Sequence, residues 1–168
     1  MTSTKYRMWM TIDDSKRCPD CKRLHGKIYH WNEPIIPKQP LHLFCRCCVA
    51  WLRSLLAGTA TKRGQNGADW WIKNHGKLPS YYISLTEAKQ RGWNAKEGNL
   101  HEVSPGTMLS RGVYENRNGH LPSAPGRIWY EADINYERGY RGLSRILFSN
   151  DGLIFITYDH CYSFIEII

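Results

Sequence analysis

The sequence predicts an α+β fold in which the first helices of the main domain pack on a twisted antiparallel β-sheet, preceded by a small Cys/His-rich segment. Three observations favour this fold. Helix signals are concentrated between residues 68 and 104, and runs with period-two alternation follow from residue 128. Five of the six cysteines precede residue 49. Helices followed by antiparallel strands are typical of the α+β class.

The chain of 168 residues is long enough for a compact domain of about 100 residues and an appendage. Residues 57–67 are small, polar and rich in glycine, a composition typical of a linker. We therefore predict a Cys/His-rich segment at 1–56, a linker at 57–67 and the main domain at 68–168.

Three helices are expected in the main domain. The first spans 68–75 and ends at glycine, while 84–87 is a capping-box pattern that begins a second helix running to about Arg91. A third, short helix is expected around 99–104. The predicted buried face of the first helix consists of Ala68, Trp71 and Ile72.

The strand signals follow. Residues 128–135 alternate between apolar and polar, which predicts a strand packed on one side only, with Glu131 pointing away from the core. Two further β-rich runs, 143–149 and 153–158, are separated by Asn-Asp-Gly, a strong hairpin signal. A sheet of at least three antiparallel strands follows.

The strands and the segments that join or follow them carry the carboxylate of Glu131, the guanidiniums of Arg141 and Arg145 and the imidazole of His160. Together they are the parts needed to cleave RNA without a metal. Taken alone, such a group is more often a solvated salt-bridge network. A Cys161 nucleophile with His160 as its base is disfavoured, because adjacent strand residues point to opposite faces.

The main domain also resembles a known family. Besides the strands, the residues that carry the resemblance are Lys77–Pro79, Tyr82–Ser84, Glu87-Ala88, Gly92-Trp93, Gly98–Leu100, Pro105-Gly106, Asn116-Arg117, Leu121-Pro122 and Gly126-Arg127. With these matches, residues 68–168 are similar to the barnase–binase family of microbial guanyl-preferring ribonucleases, over about 100 residues with few gaps.

The resemblance implies a role for each residue of the group. Glu131 would be the general base that takes the proton of the ribose 2′-hydroxyl, and His160 the general acid that protonates the departing 5′-oxygen. Arg141 and Arg145 would hold the phosphate as it gains charge. The first product would be a 2′,3′-cyclic phosphate, which water then opens.

The resemblance further implies substrate-binding residues. Asp133 would pair with the arginines and fix their orientation. The loop from Tyr114 to Gly119, with Asn116, Arg117 and Asn118, matches the segment that reads guanine in the family. Arg127 and Asp151 match a structural ion pair.

Four positions depart from the family pattern. Leu85 stands in place of a catalytic lysine, and Gly112 in place of a nearby acidic residue. Asn118 replaces the acidic residue that accepts hydrogen bonds from guanine, which should weaken guanine preference. Cys161 stands where a tyrosine follows the histidine. We therefore expect a slower enzyme than the family's pattern would give.

The cysteines predict a structural zinc site in the amino-terminal segment. Cys18 and Cys21 are separated by two residues, and further soft ligands follow about 20 residues later. Disulfides and free thiols are the alternatives, and His25 is a further available ligand. The predicted metal ligands are Cys18, Cys21, His42, Cys45 and Cys47. Residues 15–50 also resemble the cysteine motif of the phage Mu-type minor head proteins, a family that carries variable toxin domains.

Charge and hydropathy indicate the partners. Residues 1–76 hold 13 Lys and Arg against 5 Asp and Glu, whereas residues 77–168 hold ten of each. RNA would thus be attracted by a local cluster of arginines. Residues 1–12 lack the apolar core of a secretory signal, and no apolar run is long enough to span a membrane.

Together with the residues described above, the two resemblances imply a metal-independent endoribonuclease toxin with purine or guanosine preference and no catalytic cofactor, and the cysteines add a structural zinc. The ribonuclease resemblance implies RNA and an acidic inhibitor similar to barstar as partners, and no membrane is expected. We expect synthesis in a bacterial or phage-infected cytoplasm and delivery by a phage particle or a larger secreted carrier. The alternative is a zinc-containing phage structural or nucleic-acid-binding protein whose ribonuclease-like domain is weakened or inactive.

Overall fold

A computed structural model describes residues 4–168, which form two β-sheets and four short α-helices. The strands are β1 (Tyr6–Met10), β2 (Ile28–His30), β3 (Cys48–Trp51), β4 (Arg53–Leu55), β5 (Tyr82–Ser84), β6 (Met108–Tyr114), β7 (Trp129–Asp133), β8 (Arg145–Ser149), β9 (Ile154–Thr157) and β10 (Ile165–Ile167). The helices are α1 (Pro19–Leu24), α2 (Ala68–His75), α3 (Leu85–Gln90) and α4 (Leu100–Val103), with a 3₁₀ turn at Gly64–Asn66.

The larger sheet has seven strands in the order β4-β10-β9-β8-β7-β6-β5. Its central strands β6 to β10 pair in antiparallel fashion, which confirms the predicted α+β fold and the 150–152 hairpin. Both edges differ from the prediction, because β5 and β4 pair with their neighbours in parallel. The sheet is therefore mixed.

The helices begin and end close to the predicted positions. In α2, Gly76 closes the helix in the left-handed conformation, with φ of 67°. In α3, the Ser84 hydroxyl accepts a hydrogen bond from the Glu87 amide at 3.1 Å, as a capping residue does. The predicted buried face of α2 is correct for Ala68 and Ile72, but the third buried residue is Asp69, and Trp71 is only half-buried.

Asp69 is buried because it organises the segment before its helix. One carboxylate oxygen accepts hydrogen bonds from the amides of Gly58 (2.8 Å) and Ala60 (3.0 Å), and the other accepts from the Thr61 hydroxyl (2.7 Å). Hydrogen bonds to a charged acceptor are stronger than neutral ones. Residues 58–61, part of the predicted linker, are thus fixed against α2.

One face of the large sheet packs against α2. Alternate residues of β7, β8 and β9 point to this side, as the period-two pattern predicts. The resulting cluster consists of Ala60, Ala68, Ile72, Ala132, Ile134, Ile146, Ile154, Ile156 and Ile167.

The opposite face is covered as well, so the prediction of a strand packed on one side only is wrong. A smaller antiparallel sheet, in the order β2-β1-β3, lies over the apolar half of this face. The shared cluster consists of Tyr6, Met8, Ile28 and Leu52 from the amino-terminal segment and Leu121, Trp129, Leu147, Phe155 and Phe164 from the main domain. Sequence alternation reports which side a residue faces but not what covers it.

Leu52 lies between β3 of the small sheet and β4 of the large one, and its side chain is in the shared cluster. Contacts therefore cross the predicted boundary at residue 56, and the division into 1–56, 57–67 and 68–168 stays a prediction. Among residues 4–168, no helix has the length and apolar character needed to cross a bilayer.

The shared cluster predicts that a substitution in the amino-terminal segment destabilises the whole chain. Met8 is 6% exposed in this cluster, whereas Met10 on the same strand is 40% exposed. We expect Met8→Ala to lower the free energy of unfolding by about 3 kcal/mol, through lost burial and a cavity, and Met10→Ala to change it by less than about 0.5 kcal/mol. Urea unfolding followed by tryptophan fluorescence measures both. Equal effects of the two substitutions would show that the small sheet does not share its core.

Candidate active site

The charged half of the sheet face lies beside the half that the small sheet covers. Glu131 and Asp133 sit on β7 with side chains on this face, and Arg145 lies directly opposite Asp133 on β8. Their residues are almost completely buried, with exposed fractions of 9%, 2% and 5%. Glu131 was predicted to point away from the core, which holds for the cluster around α2, but the residue is almost completely buried on the opposite face beside two guanidiniums.

Asp133 anchors both predicted arginines. The Arg141 guanidinium donates to both carboxylate oxygens of Asp133, at 2.7 Å for the Nη2 to Oδ1 contact. This bidentate pairing raises the pKa of Arg141. Nε of Arg145 lies 3.2 Å from Oδ1 of Asp133 and 3.5 Å from Oε1 of Glu131.

Arg145 is in a different environment from Arg141. Its Nη1 donates to the carbonyls of Gly142 and Ser144, both at 2.7 Å, which fixes the side chain against the loop before β8. Burial lowers the pKa of Arg145, and Asp133 opposes that effect. Because an arginine pKa is so high, the side chain stays a cation at neutral pH. The two carboxylates beside it, those of Asp133 and Glu131, balance the charge of this buried cation.

A pocket of about 550 Å³ opens onto Glu131. It is lined by Arg111, Val113, Tyr114, Glu115, Asn116, Arg117, Asn118, Glu131, His160 and Cys161. Glu131 and His160, the predicted base and acid, thus face one pocket. Arg141 and Arg145 are not among its lining residues and contact the Glu131–Asp133 pair instead.

His160 is exposed and sits in a turn after β9. Its backbone is in the left-handed region, with φ of 58°, as is that of Cys161, with φ of 66°. The two residues lie in a turn and both line the pocket, so alternation along a strand was the wrong reason to disfavour a Cys161–His160 pair. The burial of Cys161 gives a different reason against a cysteine nucleophile. Burial raises the pKa of the Cys161 thiol to about 11, so the thiolate needed for nucleophilic attack is scarce at neutral pH.

Asp159 holds this turn in place and was missed from the sequence. Its carboxylate accepts hydrogen bonds from the hydroxyls of Thr157 (2.8 Å) and Ser163 (2.6 Å) and from the amides of Tyr162 (3.1 Å) and Ser163 (2.8 Å). Burial opposes ionisation of Asp159, but these bonds outweigh it and lower the pKa. An acidic residue beside a histidine gives no sequence signal for such a turn.

The predicted substrate loop is closed by Asn116. The Asn116 side chain donates to the Leu121 carbonyl (2.9 Å) and accepts from the Leu121 amide (3.0 Å), with a left-handed φ of 48°. Asn118 accepts from the His120 amide at 3.1 Å, which occupies one of the two lone pairs of its side-chain oxygen. Arg117 is 85% exposed and pairs with Glu115. Burial raises the pKa of Tyr114, at the base of the loop, to about 12.

The amino-terminal segment supports both loops of the pocket. The Ile28 amide donates to the His120 carbonyl at 2.8 Å, and Nε2 of His120 lies 2.9 Å from the Arg23 carbonyl oxygen. The ring of His25 packs on that of Tyr162, with centroids 4.0 Å apart. The loop that holds Asn116 and the turn that holds His160 therefore both rest on the residues around α1.

The Cys/His cluster lies at the other end of α1. Two groups of close ligand atoms, Cys18-Cys21-His42 and Cys21-Cys45-Cys47, share Cys21, and within each group all atoms lie within 4.8 Å of one another. The structure thus brings together all five predicted ligands. His25 belongs to neither group, and its Nδ1 accepts a hydrogen bond from the Thr11 amide at 3.1 Å. These four thiols and one imidazole could hold a metal ion.

Comparison with known proteins supports both predicted resemblances. Residues 64–168 match the family model described as ribonuclease, and residues 1–50 match the model described as Phage Mu protein F like protein. The chain is 47% identical over 100 residues to a protein named ribonuclease from Heyndrickxia coagulans, which covers 60% of this chain and 91% of that protein. The same identity and length hold for ribonucleases from Bacillus intermedius and Bacillus pumilus, of which this chain spans 61%.

The chain belongs to the ribonuclease family. This membership confirms the predicted enzyme class, an endoribonuclease, and the similarity predicted for the main domain. The matched region begins at residue 64, within the predicted linker, and contains every residue of the pocket described above. The roles assigned to individual residues of this ribonuclease stay predictions.

The ribonuclease pocket contains one cation that the sequence did not predict. Arg111 on β6 places Nη1 3.4 Å from Oε1 of Glu131. The structure also shows the surroundings of Leu85 and Gly112, two positions that depart from the family pattern. Leu85 packs against the cluster that contains Ile83 and Trp93, and the space beside Gly112 is open. The only signal for Arg111 was its position next to Gly112, where the family pattern breaks.

The buried network predicts that Asp133 contributes strongly to stability. Asp133→Ala leaves Arg141 without its carboxylate and Arg145 with Glu131 alone, and breaking a buried pair in this way costs about 3–5 kcal/mol. Glu137, whose side chain is 68% exposed and pairs with Lys62 at 2.6 Å, provides the control. Glu137→Ala should cost less than about 1 kcal/mol. Chemical unfolding of both variants measures the difference, and a loss below about 1 kcal/mol for Asp133→Ala would contradict the role of this anchor.

Proposed function

We propose that this ribonuclease cleaves RNA without a metal, by transphosphorylation to a 2′,3′-cyclic phosphate followed by hydrolysis. The observation that carries the proposal is the shared pocket of Glu131 and His160, with guanidiniums around the carboxylate. A base and an acid that face one cavity can act on opposite sides of a single phosphodiester.

In the first step, Glu131 takes the proton of the ribose 2′-hydroxyl while the 2′-oxygen attacks the phosphorus. The bond from phosphorus to the 5′-oxygen breaks, and His160 gives its proton to that oxygen. The products are a 2′,3′-cyclic phosphate and a free 5′-hydroxyl. Negative charge grows on the phosphate oxygens during this step, and nearby arginines stabilise it.

In the second step the two roles reverse. Neutral His160 takes a proton from water, whose oxygen attacks the phosphorus. The bond to the 2′-oxygen breaks, and the protonated Glu131 returns its proton to that oxygen. The product is a 3′-phosphate, and both side chains have recovered their initial protonation states.

The base preference follows from the loop that Asn116 closes. Its backbone amides would read the guanine edge, and Arg117 and Tyr114 flank the opening. Because the Asn118 oxygen accepts a bond from His120 within the loop, we propose a purine preference with only moderate selectivity for guanosine. Asn118 also lacks the charge with which a carboxylate would bind the guanine N–H groups.

We further propose that the protein is a toxin. The support is the presence in one chain of a segment similar to a phage head protein and a ribonuclease. Synthesis in a bacterial or phage-infected cytoplasm, and delivery by a phage particle or a larger secreted carrier, fit this combination. The producing cell would need an acidic inhibitor similar to barstar, and Arg111 and Arg117 at the pocket present cations to such a partner.

We also propose that the Cys/His cluster holds a structural zinc ion. Thiolates with one imidazole are the ligand set that structural zinc prefers. Zinc binding there would stabilise α1, which carries Cys21 and supports both pocket loops. The ion would lie away from the phosphodiester and take no part in catalysis.

RNA cleavage in the presence of a chelator tests the proposed reaction. We expect the purified protein to cleave guanosine-containing RNA in EDTA, with 2′,3′-cyclic phosphate ends as the early product. His160→Ala should slow cleavage by about 10²- to 10⁴-fold, because the general acid is lost. His75→Ala, on the helix that packs against the opposite face of the sheet, is the matched control. Absence of cleavage, or equal rates for the two variants, would refute the reaction and favour a weakened or inactive domain.

Metal analysis tests the zinc proposal. Protein purified without chelator should contain about one zinc per chain. Cys21 belongs to both ligand groups, so Cys21→Ser should lose the metal and lower the melting temperature. Cys48 is exposed and outside both groups, so Cys48→Ser should retain zinc and melt as the unaltered protein does. Metal-free protein with an intact disulfide among these cysteines would overturn the proposal.

A further inference from the structure

Arg111 reaches the pocket because β6 contains a bulge. Ser110 pairs with Ala132 and Gly112 pairs with Glu131, so Arg111 is an extra residue with no partner on β7. Bulges change the direction of a side chain and are frequent beside active sites. Gly112, with φ of 75°, supplies a left-handed conformation that favours glycine. The local backbone therefore directs the Arg111 side chain toward the glutamate on the neighbouring strand.

The contact leaves most of the guanidinium free. Nη1 of Arg111 lies 3.4 Å from Oε1 of Glu131, and its side chain is 37% exposed against 11% for Glu131. A guanidinium has five N–H donors, and Glu131 is the only hydrogen-bond acceptor that Arg111 contacts among residues 4–168. Arg111 and His160 line the same pocket.

Both cations beside the glutamate contact the same oxygen. Nε of Arg145 lies 3.5 Å from Oε1, the atom that Arg111 also approaches. No hydrogen bond to Oε2 is formed within residues 4–168. One carboxylate oxygen is thus held between two guanidiniums, while the other is available to accept a proton.

We propose that Arg111 is a catalytic residue of this ribonuclease that binds the scissile phosphate and orients Glu131. This inference rests on the proposed reaction. It also accounts for Leu85, which packs against the Ile83–Trp93 cluster and brings no charge to the phosphate. The cation of this chain comes from β6 instead of from the start of α3. Gly112 contributes no carboxylate that would compete for it.

The test compares three purified variants. Arg111→Ala removes the cation, and Arg111→Lys keeps the charge but lacks the planar guanidinium with its paired N–H donors. Arg53→Ala, the control, removes an exposed arginine from the far edge strand of the same sheet. The readouts are kcat and KM on a guanosine-containing dinucleotide, the inhibition constant of inorganic phosphate, and the melting temperature.

We expect Arg111→Ala to lower kcat on the order of 10²-fold, as loss of one transition-state donor does, with a smaller change in KM. The inhibition constant of phosphate should rise about tenfold, and Arg111→Lys should recover part of both losses. The melting temperature should stay within a few degrees of that of the unaltered protein.

Two outcomes would overturn the inference. One is an Arg111→Ala protein that matches Arg53→Ala in kcat and in phosphate inhibition. The other is a fall in kcat that is explained by a matching fall in the folded fraction. Failure of the proposed reaction is distinguishable, because the unaltered protein would then not cleave the dinucleotide, whereas failure of this inference alone leaves cleavage intact and dependent on His160.

Discussion

The rest of the structure depends on the division of one sheet face into an apolar half and a charged half. Trp129, Leu147 and Phe155 form the apolar half, and the small amino-terminal sheet covers it. Glu131, Asp133 and Arg145 form the charged half, which adjoins the pocket. Burial of the apolar half stabilises the chain, and the three residues of the charged half beside it are almost completely buried as well. In that environment the attraction between carboxylates and guanidiniums is stronger than at an open surface.

The amino-terminal segment therefore contributes to the site as well as to stability. It contacts the Asn116 loop through His120 and the His160 turn through Tyr162. Its α1 also carries Cys21, the cysteine common to both groups of candidate metal ligands. The residues in and around this short helix thus contact both pocket loops and include candidate metal ligands. The phage-head-like segment and the ribonuclease thus share one structural framework.

Much of the fold of the main domain was predictable, because short sequence signals mark its helix ends and its hairpin turn. The end of helix α2 follows from its glycine, the start of α3 follows from the Ser84 cap, and the hairpin before Leu153 follows from Asn-Asp-Gly.

Long-range features of the structure were not predictable. No local pattern reveals that the small sheet covers Trp129, that β4 joins the sheet in parallel, or that a bulge directs Arg111 to Glu131. The Glu131–His160 pocket was predictable only through the family resemblance, since alternation alone placed Glu131 on a face without showing its partners.

The decisive experiment is a crystal structure with a dinucleotide that lacks the 2′-hydroxyl and so cannot be cleaved. We expect its phosphate to lie in the pocket between Glu131 and His160, within about 3 Å of the imidazole and of at least one guanidinium, with the sugar C2′ directed at Oε2 of Glu131. A phosphate bound elsewhere, for example in the separate pocket lined by Lys27 and Tyr29, with no contact to either side chain, would contradict it.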